Sequence, residues 1–252
     1  MERKNTSWGV SADWYHDHLE KEGTYQKEVV LPNLLRILAL KKGVRILDLA
    51  CGSGFFSRAF AETGAEVIGS DVATRLILIA RKESPKNITF HIAPAHKLDF
   101  LPSKSVDLIT IVFAIQNIEN IDKVFAECAR VLKPRGSLVM VMNHPAFRVP
   151  KRSGWGWDEE KKTQYRRIDG YMSESMEKIQ MHPGERPDEY TLSFHRPLQV
   201  YFKSLRKNSF AVGSLEEWIS HKKSEPGVRA VAENEIRKEI PLFLMLQGVR
   251  ME

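Results

Sequence analysis

The chain has 252 residues, 42% hydrophobic and 28% charged, with a formal charge of +6 and only two cysteines. That is enough apolar material for a core without staples, and it excludes disulfide scaffolds, collagen-like repeats and disordered chains. Residues 1–145 and 146–252 each hold 19 basic against 16 acidic residues, so no segment is the one-signed arm expected of a nucleic-acid binder.

The N-terminal stretch is polar, with Glu2, Arg3 and Lys4, and no apolar run approaches the length of a leader peptide or a membrane span. Cys51 and Cys128 stand in apolar contexts, so the expected compartment is the reducing cytoplasm, and no His, Asp or Glu spacing predicts a metal site. Residues 8–40 are expected to form one or two helices, with Leu31, Leu34, Leu35 and Leu38 on one buried face. From about residue 44 to 143, short apolar runs alternate with helical periods, the pattern of a parallel sheet with crossover helices. Predicted strands are Val44 to Leu49, Ala65 to Gly69, Ile88 to Ile92, Val106 to Phe113 and Ser137 to Met142, the last fed by a turn at Lys133 to Gly136. The intervening helices are expected at Phe55 to Glu62, Ala73 to Lys82 and Ile121 to Leu132. Residues 144 to about 190 contain Trp155, Trp157, Tyr165 and Tyr171 with no strong period, and read as an insertion too long for an ordinary connection. Within it, Asp158, Glu159 and Glu160 precede Lys161, Lys162, Arg166 and Arg167 with the spacing of ion pairs on a solvated helix face. Strands at Tyr190 to Phe194, Phe210 to Trp218 and Leu242 to Val249, and helices opening at Pro197 and near Arg229, complete the chain.

The chemistry concentrates in Asp48-Leu49-Ala50-Cys51-Gly52-Ser53-Gly54, between the first strand and the first crossover helix. In open α/β sheets ligands sit at the carboxyl ends of the strands, and Gly52 and Gly54 permit a tight turn with close backbone approach. Asp71, 17 residues beyond Gly54, is placed to accept hydrogen bonds from a ribose diol. A dinucleotide fingerprint requires a third glycine where Ser57 stands, and Asp48 would face an ammonium better than a phosphate. The loop therefore fits a cofactor with an adenosine, no phosphate and an amino-acid tail.

These residues resemble motif I of the class I S-adenosylmethionine-dependent methyltransferases, in particular the small-molecule branch called methyltransferase type 11 or ubiquinone-biosynthesis-like. Val106-Asp107-Leu108-Ile109 is similar to the fourth-strand motif, and Leu132-Lys133-Pro134-Arg135-Gly136-Ser137-Leu138 to the turn entering strand five. The resemblance covers about residues 30 to 143. It implies a Rossmann-like, doubly wound, mostly parallel seven-stranded sheet. It also implies a helical lid at 1–40, a cofactor core at 41–143, a substrate-cover insertion at 144–196 and closing elements at 197–252. It implies S-adenosylmethionine as cofactor, held by Tyr25, Asp48, Ala50, Gly52, Gly54, Asp71, Val72, Ala95 and Phe113. Ala50 replaces a common glycine, and Ala93-Pro94-Ala95-His96 lacks the acidic adenine contact, which leaves the backbone of Ala95 or His96 for that role. A small-molecule acceptor is expected, with no membrane or nucleic-acid partner; an RNA or protein acceptor, or a catalytically silent cofactor-binding regulator, are the alternatives. Substrate contacts are expected from Trp14, Tyr15, Asn143, Arg148 and Trp155. His144 and His195 are the candidate bases, since a neutral imidazole can take a hydroxyl proton.

Overall fold

The computed structural model describes residues 7–182 and 186–252. The N-terminal part contains α1 (Ser7–Val10), α2 (Ala12–Glu20), a π-helical turn (Gln26–Val30) and α3 (Leu31–Leu38). Leu34 and Leu38 of α3 are buried, with Leu31 and Leu35 packed beside them. The core follows as β1 (Arg45–Leu49), α4 (Phe55–Glu62), β2 (Glu66–Asp71), α5 (Thr74–Glu83), β3 (Thr89–Ile92), β4 (Val106–Val112), a 3-10 turn (Ile115–Asn117), α6 (Ile121–Val131) and β5 (Leu132–Asn143). Two hairpins come next, β6 (Ser153–Asp158) with β7 (Thr163–Ile168), and β8 (Ser175–His182) with β9 (Arg186–His195). The chain closes with α7 (Leu198–Lys207), β10 (Phe210–Trp218), α8 (Ala230–Glu239) and β11 (Phe243–Arg250).

Seven strands form one sheet in the order β10-β11-β5-β4-β1-β2-β3. All pairs from β3 to β5 are parallel, whereas β11 runs antiparallel to both β5 and β10. This is the Rossmann-like, mostly parallel architecture. Its strand order reverses beside β1, so a crevice opens over the carboxyl ends of β1 and β4. β1 and β4 are buried nearly throughout, as strands covered by helices on both faces must be.

Local boundaries differ from the sequence expectation in instructive ways. Asp71 is the last residue of β2 rather than lying just past a strand that ends at Gly69, so the sheet itself fixes its position. The Lys133 to Gly136 segment lies within β5, whose pairing with β4 is irregular there and absorbs Arg135 at φ 63°. The charged run at 158–167 is a hairpin, not a helix face. Asp158 accepts hydrogen bonds from the amides of Glu160 and Lys161 and so forms the turn. Trp155 pairs across the hairpin with Arg166, whose guanidinium lies 5.0 Å from the indole centroid. Gly156 lies under the Tyr165 ring, where a Cβ would clash.

Candidate functional site

The β1–α4 loop and the ends of β2, β3 and β4 open into a cavity of about 820 Å3. Its floor is the Asp48 to Gly52 segment. Asp48, 1% exposed, accepts hydrogen bonds from Ser57 Oγ at 2.6 Å and from Thr110 Oγ1 at 3.2 Å. The parallel register of β1 and β4 sets Asp48 opposite Thr110. Ser57, the residue that breaks the dinucleotide fingerprint, is thus the one that orients this carboxylate. Burial lifts the Asp48 carboxyl to about 6, Asp71 adds to the rise, and the two hydroxyl hydrogen bonds recover only part of it.

Asp71 is 9% exposed and holds the loop from the other side. Its Oδ2 accepts from the Gly52 amide at 3.0 Å, and its Oδ1 from the Ala73 amide at 2.8 Å. Burial also raises this carboxyl, against the pull of its backbone donors. Neither carboxylate has a cationic partner among the described residues; each is stabilised by neutral donors alone. Two such groups side by side give the cavity floor a negative potential with no local counter-charge. Tyr15 closes the loop from above: its Cε1 lies 3.5 Å from where a Cβ on Gly52 would stand, an ordinary contact, so it is the left-handed φ of 57° that favours glycine here. Burial, then Asp71 and Asp48, push the Tyr15 phenol well above its ordinary value. The Cys51 thiol is raised by the same three causes, which keeps it protonated and unreactive.

Two non-glycine residues in the left-handed region border the cavity, Ala50 at φ 59° and Phe113 at φ 56°. Each directly follows a strand, β1 and β4 respectively, and strain of this kind concentrates where a loop must present backbone to a ligand. Phe113 is held by its amide donating to Val141 O at 2.7 Å and its carbonyl accepting from Gln116 Nε2 at 2.9 Å.

The cavity brings together Tyr15, Asp48, Ala50, Gly52, Asp71, Val72, Ala95 and Phe113 from the sequence-predicted set. Gly54 is near but not in the wall: it starts α4 at φ 79°, packed against Phe90 and Ala80, so its part is to turn the chain. Tyr25 lies outside, its hydroxyl 3.0 Å from Ser220 Oγ and its ring against Phe243. Trp14 is 41% exposed and stacks on His18. The two histidines also stand apart. His144 accepts from the Ala146 and Phe147 amides through Nδ1, which directs its Nε2 proton to Glu217 at 2.7 Å. Its burial lowers its basicity, although Glu217 opposes the shift. His195 donates from Nε2 to the Tyr171 carbonyl at 2.7 Å. Both are buried: His144 ties the start of the insertion to β10, and His195 ties β9 to Tyr171 within the insertion, contacts that local sequence does not distinguish from a catalytic placement.

The far wall of the cavity was not legible in the sequence. It comes from the 3-10 turn, the residues after it and the first turn of α6, notably Asn117, Ile118 and Lys123, and from Tyr190 to Leu192 of β9, with Trp8 above. Arg196, 6% exposed, ties these parts together by donating to the carbonyls of Ile118 at 2.9 Å and Glu119 at 2.5 Å. Asn143, Arg148 and Trp155 form a separate group at the end of β5. Among the described residues no cluster of three or more His, Cys, Asp or Glu has metal-ligand geometry, and no helix is long and apolar enough to cross a membrane.

Residues 47–140 match the model of a methyltransferase domain family. A demethylmenaquinone methyltransferase of Tropheryma whipplei (strain Twist) is 39% identical over 113 residues, 44% of this chain and 46% of that protein. A ubiquinone biosynthesis O-methyltransferase of Xanthomonas oryzae pv. oryzae (strain PXO99A) is 31% identical over 101 residues, 39% of this chain and 42% of that protein. The aligned region thus spans about half the length of these curated relatives. A solved S-adenosylmethionine-dependent methyltransferase from Mesorhizobium loti superposes with a TM-score of 0.74 at 28% identity, covering 90% of this chain and all of that one.

Proposed function

We infer that this chain, whose residues 47–140 belong to the class I S-adenosylmethionine-dependent methyltransferases, transfers a methyl group from S-adenosylmethionine to a small-molecule acceptor. The observation that carries the reading is the pair of buried carboxylates, Asp48 and Asp71, with no cationic partner among the described residues, at the floor of a largely apolar cavity. A ligand with an ammonium and a ribose diol supplies what each lacks. Asp48 would hold the cationic amino-acid end, Asp71 the hydroxyls, and Val72 with the Ala95 backbone the adenine. Ala50 and Gly52 leave room for backbone contact along the loop.

When bound, the cofactor supplies a methyl group already activated on a sulfonium, so the protein's task is to position the acceptor and exclude water. Tyr15 and Trp8 cover the crevice, and Ile118, Tyr190 and Leu192 offer an apolar acceptor wall. Arg196 keeps that wall in one piece by fixing the 118–119 carbonyls from the far side. The quinone-directed names of the relatives support a small-molecule acceptor.

Isothermal titration with S-adenosylmethionine and with its demethylated product tests the reading. Binding of both is expected, and Asp71→Ala should weaken it about fivefold or more, since it leaves hydroxyls and the Gly52 amide unpaired, a loss of about 1–3 kcal/mol. No heat change with either ligand would overturn the reading.

A further inference from the structure

Outside the cavity, two arginines converge on residues 143–153, just past the carboxyl end of β5. Arg148 is half-buried, donates to Asn143 Oδ1 at 2.7 Å and lies 5.6 Å from the Phe243 ring centroid. Arg166, also half-buried, reaches in from β7, donating through Nε to the Phe147 carbonyl at 2.8 Å and through Nη2 to Ser153 Oγ at 2.9 Å, with its other face on Trp155. Every partner of the two is neutral, and among the described residues no carboxylate forms an ion pair with either, in contrast to the partly buried Arg58 and Arg130, which pair with Glu20 and Glu127. Burial lowers the basicity of both, and Arg166 lowers that of Arg148 further. Two like charges held together in a partly desolvated place disfavour each other unless an anion joins them. The spot is on the ligand-binding edge of the sheet: the Phe243 ring touches Phe113, which lines the cavity, and Arg148 lies on that same Phe243 ring.

We propose that Arg148 and Arg166 form an oxyanion site that receives an acidic group, a carboxylate or a phosphate monoester, carried by the methyl acceptor. The planar fork of each guanidinium suits two-oxygen recognition, and Trp155, Phe147 and Phe243 would flank the carbon skeleton that bears the acid. The identity of the anion's carrier rests on the methyl-transfer reading; the anion site itself does not.

The test uses inorganic phosphate and benzoate as probes, titrated into the full chain at low ionic strength and followed by thermal shift and calorimetry. A rise in Tm with at least one probe is expected, phosphate alone pointing to a phosphate monoester and benzoate alone to a carboxylate. Arg148→Gln/Arg166→Gln should lower the affinity at least tenfold. Asn143→Asp supplies a carboxylate isosterically beside Arg148; it should raise Tm without added anion and suppress the response to both probes. An unaltered parent Tm with both probes, or a double variant that responds as the parent does, overturns the site. The demethylated cofactor is titrated in parallel. Its failure to bind would count against the methyl-transfer reading and leave an anion response intact, whereas bound cofactor with no anion response removes this proposal alone.

Discussion

Replacing Asp48 by Asn separates the cost of this carboxylate from its use. The Asp48 carboxyl lies at about 6 in the free protein against an ordinary 3.8. Because the folded value is the higher one, stability is greatest where both folded and unfolded chains hold the proton, and falls as pH rises from about 4 to about 6. At about 1.4 kcal/mol per pH unit, ionised Asp48 costs the free fold about 3 kcal/mol above that window. Asn keeps the shape, can still accept from Thr110 and can donate to Ser57, and carries no charge. Asp48→Asn is therefore expected to raise the Tm of the free protein near pH 8 and to weaken binding of the demethylated cofactor, whose ammonium loses its partner. In the parent, that ammonium should hold Asp48 ionised, so binding near pH 6 releases about half a proton, and binding near pH 8 almost none. Affinity should fall as pH drops below about 6. Calorimetry in two buffers of different ionisation enthalpy measures the proton, and thermal denaturation across pH measures the stability. An Asp48→Asn protein less stable than the parent near pH 8, or no proton release near pH 6, would refute the reasoning.

Two further outcomes follow from the geometry. Ala50→Gly should relieve a left-handed alanine worth about 1 kcal/mol, partly offset by the greater freedom of glycine in the unfolded chain; a stable, tightly binding variant by denaturant titration is expected, and a loss of more than about 1 kcal/mol would show that the Ala50 methyl packs usefully. His144→Ala should cost about 2 kcal/mol, because the Ala146 and Phe147 amides lose their acceptor and Glu217 its donor, while affinity for the demethylated cofactor stays within about twofold of the parent. A preserved Tm with lost cofactor binding would return His144 to the site.

Much of the cofactor half of the molecule is encoded locally. Strand, glycine loop and helix in succession, with an acid at the end of each of the first two strands, are one short-range pattern repeated by crossover, and the sheet order follows from the right-handed hand of those crossovers. Asp48, Gly52 and Asp71 are therefore adjacent in space for the same reason that they are recognisable in sequence. The insertion has no such constraint. Its charged run has the spacing of a helix face, and the hairpin that forms instead is decided by cross-strand partners that no local pattern supplies. Likewise nothing near His144 reveals Glu217, which is 73 residues away on β10, and nothing near Tyr190 places it against Asn117. The core fold and the floor of the site are legible from the order of residues along the chain, because they depend on contacts between consecutive elements. The far wall of the cavity, the Glu217 partner of His144 and the approach of Arg166 to Phe147 and Ser153 emerge only from the packed molecule, because each depends on which distant segments are brought together.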